Sequence, residues 1–324
     1  MEQKYDVVAL GELLIDFTEN GLSGQGNTLF EANPGGAPCN VLAMLNKLGN
    51  KTAFIGKVGN DIFGNHLKSV LEELRIDTIG LLMAEEYRTT LAFVKNQANG
   101  ERDFSFYRNP GADMMLLEKE IDETLIKNST VFHFGTLSMT HEEVCKATKK
   151  ALKIAKENAC LISFDPNLRE PLWDSLEAAK EQVRYGLSYC DVLKISDNEI
   201  QWFTGKDDYT EGVRLLQKEF SIPLILLSMG SAGSRAYYQR AGKDIMVEAA
   251  PFLQENTIDT TGAGDTFMGS CLHYILENRA YDFDEKKLLE MLTFANAAAS
   301  IITTRKGALR VMPEREEIEV LLKK

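Results

Sequence analysis

A chain of 324 residues with 44% hydrophobic and 26% charged content has apolar material for a full core, which excludes a disordered polymer. Its formal net charge of −12 excludes an extended nucleic-acid surface, which needs clustered Lys and Arg to displace counterions. An acidic chain still accommodates a bound phosphate, because a few local donors and a cation set the field there.

Short apolar runs at 7–10, 53–56, 131–135, 161–165, 192–196 and 224–228 predict strands, and their near-continuous hydrophobicity predicts cover on both faces. Helical periodicity over 40–47, 63–74, 142–158, 176–188 and 212–219 falls between them. The alternation predicts an α/β fold with a mainly parallel central sheet flanked by helices. Two stretches break the rhythm, at about 16–32 and about 80–107, where short alternating strands replace helices. The runs 89–94 and 104–107, separated by Asn99-Gly100, predict a hairpin. These pieces are too small for a core of their own, so they predict a small β-sheet lid inserted in a single domain spanning 1–324. The last third predicts helices over 263–277 and 286–303, a turn at Gly307 and a final helix after Pro313.

The start of the chain lacks a basic segment followed by an apolar stretch and a small-residue cleavage site. No apolar run approaches the ~18 residues needed to cross a bilayer, so no membrane partner is expected. The five cysteines are odd in number and widely spaced, with no CxxC pair. That pattern fits a reducing compartment, and a cytoplasmic location is the expectation.

The chemistry concentrates in Asp259-Thr260-Thr261-Gly262-Ala263-Gly264-Asp265-Thr266-Phe267. Gly262 and Gly264 permit close backbone approach, and the helix that follows aims its free N–H groups at the same place, as phosphate requires. Asp265, in the first helical turn, is placed to accept a proton from an incoming hydroxyl. The bland alternative is a Gly-rich turn whose Asp caps the helix. A dinucleotide fingerprint would need Gly where Phe267 stands, and no Gly-Lys pair completes a phosphate-binding loop of the Walker type. A second turn, Pro34-Gly35-Gly36-Ala37-Pro38-Cys39-Asn40, opens a helix, and Asn40 offers both a donor and an acceptor to hydroxyls. Asp16 ends a strand and can hold two hydroxyls at once. Ligands of open α/β sheets gather outside the carboxyl ends of strands, which groups Asp16 with Asp165-Pro166-Asn167 and the 196–199 segment. Arg169 follows as an anion partner or a structural ion pair.

Together these residues resemble the PfkB (ribokinase-like) carbohydrate kinase family. The likeness runs from Val7 to Pro313: Gly35-Gly36…Asn40…Leu48-Gly49 is similar to the family's first signature and 259–267 to its second. The resemblance implies a three-layer ribokinase-like fold, ATP as phosphoryl donor, Mg²⁺ and a K⁺ site. It implies Asp265 as general base toward the sugar's primary hydroxyl, and Gly262, Ala263 and Gly264 as the anion hole. Asp16, Gly35, Gly36 and Asn40 would hold the sugar. Glu199 would organise Mg²⁺ and phosphate, with Ser196 standing where the family carries Asn. Ser228, Gly230 and Gly233 resemble the nucleotide-binding turn and Asn296 an adenine-side residue, while Asp259, Thr261 and Ser300 resemble the monovalent-cation site.

Within the family, Gly11–Asp16, Phe106–Met114 and Asp165–Trp173 are most similar to bacterial and plant fructokinases, which implies transfer to the 6-hydroxyl of fructose. In that reading Arg108 and Arg169 sit near the sugar, Arg108 arriving with the lid. The same arginines suit 2-keto-3-deoxygluconate, and ribose or a nucleoside stay open. A non-catalytic sugar sensor would be favoured by loss of Asp265 or its glycines, and all are present. Lid strands in this family often pair between subunits, which implies a homodimer.

Overall fold

The computed structural model describes residues 4–96, 102–278 and 281–323. The chain opens with β1 (Tyr5–Leu10), β2 (Leu14–Leu22), β3 (Thr28–Gly35), α1 (Ala37–Lys47), β4 (Thr52–Gly59), α2 (Ile62–Glu73) and β5 (Asp77–Ala84). It continues through β6 (Leu91–Asn96), β7 (Arg102–Tyr107), α3 (Glu123–Lys127), β8 (Ser129–Gly135), α4 (Glu142–Glu157), β9 (Leu161–Asp165) and α5 (Leu176–Leu187). β10 (Val192–Ser196), α6 (Asp197–Thr204), α7 (Tyr209–Phe220), β11 (Leu224–Ser228), β12 (Ser234–Arg240) and β13 (Lys243–Ala249) follow. The chain closes with α8 (Ala263–Glu277), α9 (Glu285–Ile302) and α10 (Arg315–Leu322).

Among the described residues, nine strands form one sheet in the order β13-β12-β11-β10-β9-β8-β1-β4-β5, parallel except for the two pairings that β12 makes. Alternate residues of each buried strand serve opposite layers, as the pleat requires. Val7 and Ala9 pack in the layer built by α1, α2, α8, α9 and α10, whereas Val8 and Leu10 pack in the layer of α3 to α7. The expected three-layer arrangement is what the chain adopts. No helix of the described residues is long and apolar enough to cross a membrane.

A second sheet of four strands, in the order β3-β2-β6-β7, is separate from the first and takes up the segments expected to form the lid. Its pairings alternate: β2 runs antiparallel to β3 and parallel to β6, and β6 runs antiparallel to β7. The expected hairpin is therefore present in its strands, while its turn Asn99-Gly100 lies outside the described residues. One boundary differs. Residues 80–84 were expected in the lid, but they belong to β5, which pairs parallel with β4 at the edge of the main sheet. The register that puts Leu81 and Ala84 into buried positions is the physical reason. Antiparallel β12 and β13, absent from the sequence reading, extend the other edge; β13 alternates exposed and half-buried residues and so lacks the continuous apolar signal.

Candidate active site

The carboxyl ends of the parallel strands and the underside of the lid enclose a cavity of about 290 Å³. The pleat of the lid sheet decides what it contributes: Asp16 and Thr18 of β2, Val94 of β6 and Phe106 of β7 face the cavity. Phe17 and Phe93, one residue out of phase, stack on the other face with ring centroids 4.8 Å apart. The main domain supplies Gly35, Gly36 and Asn40 at the start of α1, Asn167 and Arg169 after β9, Lys194 of β10, and Gly262, Gly264 and Asp265 at the start of α8.

A second cavity, of about 360 Å³, shares Thr260 and Gly264 with the first. Its wall holds Ser228, Gly230 and Gly233 with Pro251, Phe252, Ala299 and Asn296, a mainly apolar slot with few polar groups. Gly230 and Gly233 both have positive φ, so the turn after β11 depends on glycine. Asn296 donates to the carbonyls of Ala249 and Ala250 and thereby ties α9 to the end of β13. A larger groove, of about 970 Å³, lies at the amino ends of the strands and holds none of the expected site residues.

Gly262 stands before α8 with φ of +76°, and a Cβ there would lie 2.7 Å from Ala308 Cβ. The first N–H groups of α8 have no carbonyl within the helix to accept them, which makes this end a phosphate site. Ala263 N–H donates to Thr260 O at 3.3 Å. Gly36, with φ of +133°, would bring a Cβ within 2.3 Å of Glu12 O, so only glycine fits. Gly35 has Asp16 Oδ2 2.5 Å from the place of its missing Cβ.

Charge in the site is unevenly paired. Asp265 is half-buried, and desolvation raises its carboxyl against the pull of Asn40, Lys194 and Arg169. Lys194 is also buried; burial presses its ammonium down, and the surrounding carboxylates Asp165, Glu199 and Asp265 more than offset this. Its Nζ lies 3.0 Å from Asp165 Oδ2, yet that oxygen has no hydrogen bond of good geometry. Burial pushes Asp165 up to about 7, with Lys194 opposing and Glu199 and Asp265 adding to the rise. Three carboxylates thus surround one ammonium directly beneath Gly264, whose Cβ position is 3.1 Å from Lys194 Nζ. The arrangement suits a cavity that receives further negative charge beside the ammonium and a base aimed at a hydroxyl.

Sequence reasoning missed Lys194. The signal was present as a lysine in an otherwise apolar buried strand, Val192–Ser196, where the charge needs a partner. Glu12, buried and raised to about 7 chiefly by burial, was also missed as a wall of the cavity; its Oε1 accepts from Ala37 N–H at 2.8 Å.

Three expected residues sit elsewhere than expected. Arg108 is buried and does not line the cavity. Its guanidinium donates to Asp113, Thr140 and the carbonyl of Leu137, so it fastens the root of the lid. Ser196 and Glu199 form a capping box on α6, and neither lines the two cavities. Glu199 also accepts from Leu168 N–H; burial would raise its carboxyl, but Lys194 and these donors hold it low.

Among the described residues no group of three or more His, Cys, Asp or Glu is arranged to cage a metal. Glu199, its carboxyl held low, lines neither cavity, so it fits only an indirect role toward a hard cation whose inner ligands come from phosphate and water. Asp259 Oδ1 accepts from Thr261 N–H and Oγ1–H, and its Oδ2 accepts from Gly307 N–H. Asp259 and Thr261 line the first cavity and Ser300 the second.

A nucleotide-sized slot and a polar cavity that meet at a helix start bearing a half-buried carboxylate define a phosphotransferase acting on an alcohol. The chain belongs to the pfkB family of carbohydrate kinases, which it matches over residues 4–315. It is 43% identical over 322 residues to probable fructokinase-7 of Arabidopsis thaliana, covering 98% of this chain and 92% of that one. The fructokinase of Xylella fastidiosa with bound ATP superposes with a TM-score of 0.89 at 28% identity, over 100% and 99% of the two chains. The fructokinase of Vibrio cholerae O395 bound to fructose, ADP and calcium gives 0.85 at 28% identity, over 98% and 99%.

Proposed function

We propose that this protein is an ATP-dependent fructokinase, with fructose in the cavity under the lid and ATP in the adjoining slot. The observation that carries the reading is Asp265: a half-buried carboxylate lining the cavity at the start of α8, where the two cavities meet. Asp265 takes the proton of the 6-hydroxyl as that oxygen bonds to the γ-phosphorus, and the bond from phosphorus to the ADP oxygen breaks. The amides of Gly262, Ala263 and Gly264 and the ammonium of Lys194 stabilise the charge on the transferring group. Asp16, Gly35, Gly36 and Asn40 position the sugar, and Val94 and Phe106 of the lid exclude water from it.

Glu199 would act indirectly on an Mg²⁺ that enters with ATP, and that ion would supply positive charge to the phosphates. We assign K⁺ to Asp259, Thr261 and Ser300. Arg169 is the one arginine among the described residues lining the sugar cavity, while Asp16 and Glu12 are acidic, which favours a neutral ketose over a sugar acid. The outer face of the lid exposes Phe30 and Tyr107, each in edge contact with Phe93, and we infer that a second copy covers it. A solution mass of one chain would refute that. Five unpaired thiols support placement in the cytoplasm.

The test is ADP release with Mg-ATP against fructose, ribose, 2-keto-3-deoxygluconate, glucose, mannose and adenosine. The highest kcat/KM is expected for fructose. Preference for the ketoacid would keep the kinase and replace the substrate.

A further inference from the structure

Asn40 does more than line the sugar cavity. Its Nδ2 donates to Asp265 Oδ2 at 2.8 Å across 225 positions of sequence. Its own Oδ1 is buried and has no hydrogen-bond partner, an uncommon state for an amide oxygen in a residue only 4% exposed. One polar end is therefore spent on the base, and the other waits beside the place where hydroxyls bind.

The approach of two helices fixes this contact. Asn40 lies in the first turn of α1 and Asp265 in the first turn of α8. One turn further along each helix, Met44 faces Gly269, where a Cβ would lie 2.8 Å from Met44 Cβ and 2.9 Å from Val41 O. Only glycine at 269 lets α1 and α8 come this close, and that closeness brings Asn40 within hydrogen-bond reach of Asp265.

We propose that Asn40 is the positioning residue of the base: its amide nitrogen holds one oxygen of Asp265, leaving the other for the acceptor hydroxyl, while its amide oxygen accepts from a second hydroxyl of the same sugar. The side chain thus links the sugar to the base. The inference rests on the sugar-kinase reading and adds to it a residue that acts through Asp265.

The charged groups facing Asp265 are Lys194 of β10, Asp165 of β9 and Arg169 after β9; Glu199 of α6 acts on the same ammonium, and Asp16 and Glu12 lie on the same cavity. All are unchanged in Asn40→Asp, which keeps an acceptor for the sugar but replaces the amide donor by a like charge. The measurement is the pH dependence of kcat, together with sugar KM, for wild type and Asn40→Asp. The acid limb of kcat is expected to move up by about one pH unit or more, as for two carboxylates sharing a site, with kcat reduced ~10-fold or more at neutral pH. Sugar KM is expected to stay within about 3-fold, because the acceptor persists.

An unmoved acid limb with a raised KM would overturn the proposal and leave Asn40 as a sugar ligand alone. Should Asn40→Asp not fold, Asn40→Ala is read in the same way: a shifted limb with raised KM supports the link, and an unshifted limb refutes it. If wild type does not turn over fructose, the fructokinase reading fails on that result alone. The pH profile is then taken with whichever sugar is phosphorylated and still decides the role of Asn40.

Discussion

Replacing Lys194 by methionine removes the one ammonium among buried Asp165 and half-buried Glu199 and Asp265, and its cost should depend on pH. The pair Lys194–Asp165 is nearly inaccessible, with side-chain exposures of 8% and 4% and a separation of 3.0 Å. Removing one partner of a buried pair costs about 3–5 kcal/mol when the other must stay charged. Asp165 limits that loss by taking a proton. Its carboxyl already titrates at about 7 in the folded chain against 3.8 when free, burial being the main cause. The folded state therefore favours protonated Asp165, a contribution full below the free value and lost as pH rises through about 7. Without Lys194 the folded value climbs further, so the variant continues to lose stability above pH 7, where the wild type has levelled off. The destabilisation should grow at up to roughly 1 kcal/mol per pH unit between pH 7 and 9, or about 2 kcal/mol in all. Urea unfolding of both proteins at pH 6, 7, 8 and 9, followed through Trp173 and Trp202, reads this directly. An equal difference at pH 6 and pH 9 would refute the reasoning. In turnover the same variant should lose ~10²–10³ in kcat, as expected for a lost donor to the transferring group.

Asp265→Asn should lower kcat by several orders of magnitude with sugar and ATP KM changed only a few-fold; near-normal turnover would remove the base role. Gly36→Ala meets a backbone oxygen at 2.3 Å and should cost about 2–4 kcal/mol in thermal or urea unfolding. Gly264→Ala meets only the flexible end of Lys194 at 3.1 Å, so stability should stay within ~1 kcal/mol while kcat falls at least ~10-fold. Equal destabilisation of the two glycine variants would contradict the distinction. Arg108→Met leaves Asp113 buried without its cationic partner, the hydrogen bond from Thr90 Oγ1–H remaining, and should cost about 3–5 kcal/mol with little change in sugar KM. The opposite pattern would restore Arg108 to the sugar.

Much of the molecule was legible because its signals are local. The strands 161–165, 192–196 and 224–228 are mostly apolar, since helices cover both faces, and they were located to the residue despite Ser163, Asp165, Lys194, Ser196 and Ser228. The glycines at 36 and 262 announced turns that no other residue can make. What escaped depends on partners far along the chain. Residues 80–84 of β5 read as part of the lid because their own sequence does not say which sheet they join, and only pairing with β4 decides it. Arg108 looked like a ligand because an arginine after a lid strand is placed to reach the sugar; the buried carboxylate of Asp113 captures it instead. Lys194 was passed over inside a good strand, and the contact between Asn40 and Asp265 spans most of the chain.

The most direct test of the central claim is the identity of the product. Fructose and Mg-ATP incubated with the protein should yield one fructose 6-phosphate per ADP, with the phosphorus coupled to the C6 protons in a ³¹P–¹H spectrum. ADP accumulating with free phosphate, or phosphate appearing on another carbon, would contradict a base at Asp265 aimed at the 6-hydroxyl.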